Sequence, residues 1–172
     1  MPTGNEVAAV EDGVFALAGF SGVVEAIDRT LIRIPRPSDF EGWYGRKGFP
    51  AVNAQAVVDH RGVFRSLSVR AGSTNDQSLW HGSDVKKKIS SYVPQGKLLL
   101  SDAGYKVWQH LIAPYPEAAA ATSKRMRRYN YRHSRARIAV ECAFGRMKNR
   151  FRILLGKIEQ KTKDYIVKIY TS

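Results

Sequence analysis

The sequence predicts an α/β fold, a mixed β-sheet with helices on its faces. Three observations predict it. Residues 23–34 (VVEAIDRTLIRI) form an apolar, β-branched run of the kind that fills a buried strand. Residues 51–59 and 63–70 are two further strand-like runs around a His60-Arg61-Gly62 turn, which reads as a hairpin. A short apolar run at 97–101 follows only after helix-like sequence, and strands joined through helices run parallel.

The elements follow in order. Residues 1–21 are small and mixed in polarity, with a short helix around 14–18. The first strand stops at Pro35 and Pro37. Residues 36–50 are loop, with Trp43 and Tyr44 exposed or docking. After the hairpin, Thr74 or Asn75 caps a helix that runs to about Trp80. A further short helix covers 84–92. Residues 104–112 (GYKVWQHLI) read as a helix with Val107, Leu111 and Trp108 inward. Pro114 and Pro116 break that pattern, and the Ala-rich 117–121 is ambiguous. A long helix spans about 133–150, and a last helix or strand covers 164–170.

The chain has 172 residues, 44% of them hydrophobic, enough for one domain with a core. Its formal net charge is +13, and residues 123–157 hold twelve Lys or Arg against one Glu. One concentrated basic patch is the electrostatic footprint of a polyanion, either nucleic acid or a phospholipid surface. Aromatic and aliphatic residues interrupt the run, so it belongs to a folded surface and not to a tail. Cys142 is the single cysteine, which excludes an internal disulfide and a cysteine zinc cluster and fits a reducing compartment. We read it as a packed helix residue. No stretch approaches a membrane span, and the amino terminus lacks a secretory pattern. Lys86–Lys88 and the basic run 124–128 fit nuclear import.

Three acids stand in settings that suit metal-dependent cleavage of phosphodiesters. Asp28 lies inside the first strand, Asp102 ends the 97–101 strand, and Glu141 lies on the long basic helix. A buried carboxylate is costly unless paired, and a divalent cation is one such partner. Two hard ions about 3.5–4 Å apart activate a water and stabilise the leaving oxygen. Magnesium and manganese prefer carboxylate oxygens. In this reading Asp28 bridges two ions, and Asp102 and Glu141 hold one each. Arg137, Glu141 and Lys148 share one helical face at spacings of four and seven residues, which places phosphate contacts beside a metal ligand. An ordinary salt bridge from Arg137 to Glu141 explains the same spacing. Arg128, Arg135 and Arg146 extend the basic surface, and Arg46 and Lys47 form a basic turn. Asp76 is a helix cap or an orienter of metal or arginine. Asp59 and Asp84 read as turn and cap residues. His60 and His81 read as surface turns, and His133, one turn before Arg137, approaches substrate or supports the site from behind.

The segments 26–34, 44–80, 97–115 and 129–154 together resemble the Harbinger-type DDE transposase and nuclease family. The shared features are an Asp-x-Thr strand, an RKG turn, a GS-x-x-D loop, an SD-x-GY strand end, and R-x-x-x-E with a Lys seven residues beyond. The resemblance implies an RNase H-like domain over 22–155, between a short extension at 1–21 and another at 156–172. It implies a metal-bound triad of Asp28, Asp102 and Glu141, two Mg²⁺ or Mn²⁺ ions, and DNA as substrate. Asp76 falls on a further acidic position of the family. Arg29 and Leu31 depart from its first motif, and relatives carry a helical DNA-binding region before the first Asp. A separate DNA-binding protein is therefore an expected partner, and the nucleus the expected location. Oligomeric state is not legible. The competing reading is a truncated or domesticated remnant that binds DNA without cutting.

Overall fold

The structure is a computed structural model that describes residues 4–35, 41–44 and 47–156. The expected element at 164–170 lies outside them. The sheet has five strands. Strand β1 (Val23–Arg33) is central. It pairs antiparallel with β2 (Ala51–Val58) and parallel with β4 (Leu98–Leu100). Strand β3 (Phe64–Ala71) extends the sheet beyond β2, and β5 (Leu111–Ile112) beyond β4. The order β3-β2-β1-β4-β5 is the mixed sheet the sequence predicts, and its architecture is RNase H-like.

Helices cover both faces. β1 residues serve both sides, with the strict alternation broken by an irregularity between Val23 and Glu25. Val24 and Ile27 pack with Trp80, Val85 and Tyr92, whereas Val23 and Ala26 pack with Ala136, Val140 and Phe144. The first layer is built from α2 (Asp76–Gly82) and the short turns α3 (Asp84–Lys87) and α4 (Ile89–Tyr92). Asn75 caps α2 by accepting the Ser78 N–H at 2.8 Å. The single helix expected over 84–92 is two turns instead, broken at Lys88.

Helix α1 (Gly4–Ala18) is longer than the expected 14–18 segment. Val7, Val10, Val14 and Ala18 give it a buried stripe at helical spacing. It ends at Gly19, whose φ of 68° suits the left-handed cap, with its N–H on Phe15 O at 2.7 Å. The imidazole of His60 lies against Gly13 of this helix, so His60 is half-buried and not a surface turn. The hairpin turn is held by Asp59, which is fully buried and accepts the N–H groups of Arg61 and Val63.

Residues 104–112 do not form the expected helix. Asp102 Oδ1 accepts the Gly104 N–H at 2.9 Å, and a tight turn joins Trp108 to Leu111. Leu111 then pairs with Leu99 as an edge strand. Val107 is 66% exposed and Trp108 is also exposed. The apolar spacing of Val107 and Leu111 mimics a helical face, but tertiary pairing of Leu111 wins.

The Ala-rich stretch is a short helix, α5 (Glu117–Thr122). Helix α6 (Lys124–Arg150) has 27 residues, about 40 Å, and starts nine residues earlier than the sequence pattern suggests. Ser123 caps it, and Tyr129 anchors its first half against Phe20 and Tyr115. Its buried stripe is His133, Ala136, Val140, Ala143 and Phe144. Cys142 falls off that stripe and is an exposed free thiol, not a packed residue.

Candidate active site

The register of β1 and β4 pairs Ala26 with Leu100. Two residues further along each chain stand Asp28, in the middle of β1, and Asp102, just past the carboxyl end of β4, where open α/β sheets place their sites. Both line an open cavity of about 310 Å³ together with Arg29, Thr30, Lys47 and Lys148.

Asp28 is the most constrained acid. Its Oδ1 accepts the Arg29 N–H at 2.8 Å, and its Oδ2 accepts from Arg137 Nη2 at 2.8 Å. Both partners of that ion pair are largely buried, with side chains 12% and 15% exposed for Arg137 and Asp28. Burial raises the Asp28 pKa, Arg137 and the Arg29 N–H pull it down, and the charges of Asp102 and Glu141 push it up again. The three acids thus share one electrostatic field. Glu141 sits one turn beyond Arg137, with its Oε1 4.0 Å from Arg137 Nη1 and its side chain 57% exposed. Arg137 therefore lies between Asp28 and Glu141. Among the described residues, no three Asp, Glu, His or Cys side chains stand close enough to share one ion.

A fourth acid adjoins the cleft. Asp76, the first residue of α2, forms an ion pair with Arg29, and its carboxylate and that of Asp102 both pack against Gly104. Asn75 is the cap, so Asp76 takes the arginine-orienting alternative. Lys148 is also fixed. Its ammonium donates to Thr30 Oγ1 at 2.6 Å and to Leu31 O at 3.2 Å. Burial and then Lys47 lower its pKa.

Comparison with known proteins matches residues 27–172 to the family described as DDE superfamily endonuclease. The chain belongs to that DDE family. Proteins named "Putative nuclease HARBI1" from Rattus norvegicus and Homo sapiens are each 28% identical to it over 155 residues. The one from Xenopus laevis is 26% identical over 154 residues. In each case the match covers 87% of this chain and 43% of the relative, so the chain spans less than half the length of the relatives it matches. No solved structure matches.

In this DDE-family chain the remaining expected contacts divide. Arg137 is not a free phosphate contact, because it pairs with Asp28. His133 does not face the cleft. It is 2% exposed, its Nε2 lies 3.4 Å from Ile112 O, and its ring packs against Phe20 and Tyr129. Burial, aided by Arg137, depresses its pKa to about 4, so it is neutral. Arg128 and Arg135 are exposed on α6, Arg135 over the Tyr131 ring. Arg146 is exposed too, but its guanidinium lies against Gly62 in the β2–β3 turn, at the opposite end of β1 from Thr30 and Lys148. Lys47 lines the cavity, and Arg46 lies outside the described residues. Thr30 and Gly104 are structural members of the site that charge reasoning passes over. Their signal is present in the Asp-x-Thr and SD-x-GY patterns.

Proposed function

We propose that the chain carries the cutting centre of a divalent-metal-dependent DNA endonuclease of transposon origin. The observation that carries this reading is the placement of Asp28, in the middle of β1, and Asp102, just past the end of the parallel neighbour β4, on one cavity and in one electrostatic field with Glu141 on α6. The donor set fits a hard cation. It is all carboxylate, and magnesium is commonly held by one or two carboxylates with several waters retained. Asp28 and Asp102 would hold the ion, and Glu141 would join once Arg137 no longer stands between it and Asp28. When bound, such ions supply an activated water and charge stabilisation at the leaving oxygen.

The chain's own residues account for the rest. Lys47 and Lys148 line the cleft and bind a phosphate, and Thr30 keeps Lys148 aimed there. Gly104 lets the Asp102 and Asp76 carboxylates approach the backbone, while Arg29 holds Asp76 in place. Arg128 and Arg135 track the phosphate backbone of the duplex, which positions DNA without reading sequence. Sequence choice belongs to a separate DNA-binding protein, and the nucleus is the place of action.

One observation favours the second reading, a module that binds DNA without cutting. Glu141 is turned outward, and among the described residues no three acids are gathered within reach of one ion. Plasmid nicking in Mg²⁺ or Mn²⁺ separates the two. The endonuclease reading predicts metal-dependent nicking that Asp102→Asn lowers at least about a hundredfold, with circular dichroism unchanged. DNA binding with no nicking by the unsubstituted chain favours the second reading.

A further inference from the structure

The acids at the cleft are not equally available to a cation. Each oxygen of Asp28 has a partner, Oδ1 the Arg29 N–H and Oδ2 the Arg137 guanidinium. The backbone amide is a fixture of β1. The guanidinium is not. It meets Asp28 through one nitrogen, stands a loose 4.0 Å from Glu141, and leaves its buried Nε without a partner. Lys148 contrasts with it, because Thr30 Oγ1 at 2.6 Å and Leu31 O at 3.2 Å hold its ammonium without a carboxylate.

From this we infer that Arg137 and a divalent ion are alternative partners of Asp28 Oδ2, so that Arg137 sets the ion affinity of the site and must move aside before Glu141 can contribute. The inference rests on the metal-dependent reading above and deepens it. The physical argument is charge and valence. Arginine cannot lose its proton in this pH range, so only displacement removes its positive charge. Two divalent ions bring four positive charges to three carboxylates. A guanidinium kept at the same oxygen would then face net repulsion in a partly buried setting, where screening is weak. The unsatisfied Nε and the one-point contact make its release inexpensive. The exchange also explains how Glu141 can be both a ligand and outward-facing, since the group that separates it from Asp28 is the one that leaves. Arg137 is thus a positioning residue, acting through Asp28 and Glu141.

The test is Mn²⁺ affinity of the full chain by calorimetry or electron paramagnetic resonance, with no DNA present. Arg137→Gln should bind Mn²⁺ at least tenfold more tightly than the unsubstituted chain, and Asp28→Asn should lose the binding in both backgrounds. Equal or weaker binding by a folded Arg137→Gln, beside clear binding by the unsubstituted chain, overturns the exchange but leaves the metal-dependent reading intact. No Mn²⁺ binding by either the unsubstituted chain or a folded Arg137→Gln overturns both. Should Arg137→Gln fail to fold, the unsubstituted chain decides through the guanidinium resonances of Arg137 in a Mg²⁺ titration. They shift to solvent-like values at saturation if the exchange occurs, and stay fixed if it does not.

Discussion

Gly104 sits where two carboxylates meet. A Cβ built there would overlap the Asp76 carboxylate and lie 3.1 Å from Asp102 Oδ1. Asp76 cannot swing away freely, because Arg29 holds it. Gly104→Ala should therefore cost about 1–3 kcal/mol of stability from overpacking and lower nicking roughly 10- to 100-fold by displacing Asp102. Urea unfolding and the plasmid assay check the two effects, and unchanged values in both would remove Gly104 from the site. At this scale the sequence picks out the acids of the proposed site but not their partners. Asp28 and Asp102 stand out because they interrupt or end apolar runs. Nothing in the spacing of Arg137 says that it reaches across to β1 and not only along α6 to Glu141. That contact depends on how α6 crosses the sheet.

Helix α6 joins the site to the basic surface. One side of it buries Ala136, Val140 and Ala143 on the sheet, and small residues there let the helix come close enough for Arg137 to touch Asp28. The other sides carry Arg128 and Arg135. If these two contact DNA phosphates, the double substitution Arg128→Ala/Arg135→Ala should reduce the slope of log affinity against log salt by about 2, since each contact releases close to one counterion. A slope equal to that of the unsubstituted chain would move the interface elsewhere. The second half of α6 is legible from its apolar period. Its first nine residues are not, because 124–132 are mostly charged or polar and become helical through the Ser123 cap and the packing of Tyr129. The converse error falls at 104–112. There the apolar period is present, but Leu111 is claimed by strand pairing with Leu99.

Across the molecule, two buried titratable groups act in opposite senses. Glu25 is buried on β1, and burial pushes its pKa up to about 7, with Tyr92 and Arg65 opposing. Stability from Glu25 is present below the ordinary carboxyl value of 4.5 and is lost as pH rises through about 7. His133, depressed from 6.5 to about 4, has the reverse effect. Its stability is present above 6.5 and is lost as pH falls toward 4. The two slopes oppose each other across this window. Glu25→Gln removes one, so the variant should gain on the order of 2–3 kcal/mol over the unsubstituted chain at pH 8 and almost nothing at pH 4. Urea midpoints at both pH values check this, and a parallel pair of pH profiles would contradict it. The fold was legible because the strands, the hairpin and the capped α2 are local patterns that agree with the sheet they form. The arrangement of charges around Asp28 was not, because it comes from three separate elements. The most direct test is plasmid nicking in Mg²⁺ or Mn²⁺ by the unsubstituted chain beside Asp28→Ala. The account predicts nicking that needs the metal, stops with EDTA and vanishes in Asp28→Ala. Metal-dependent nicking that survives Asp28→Ala would contradict it.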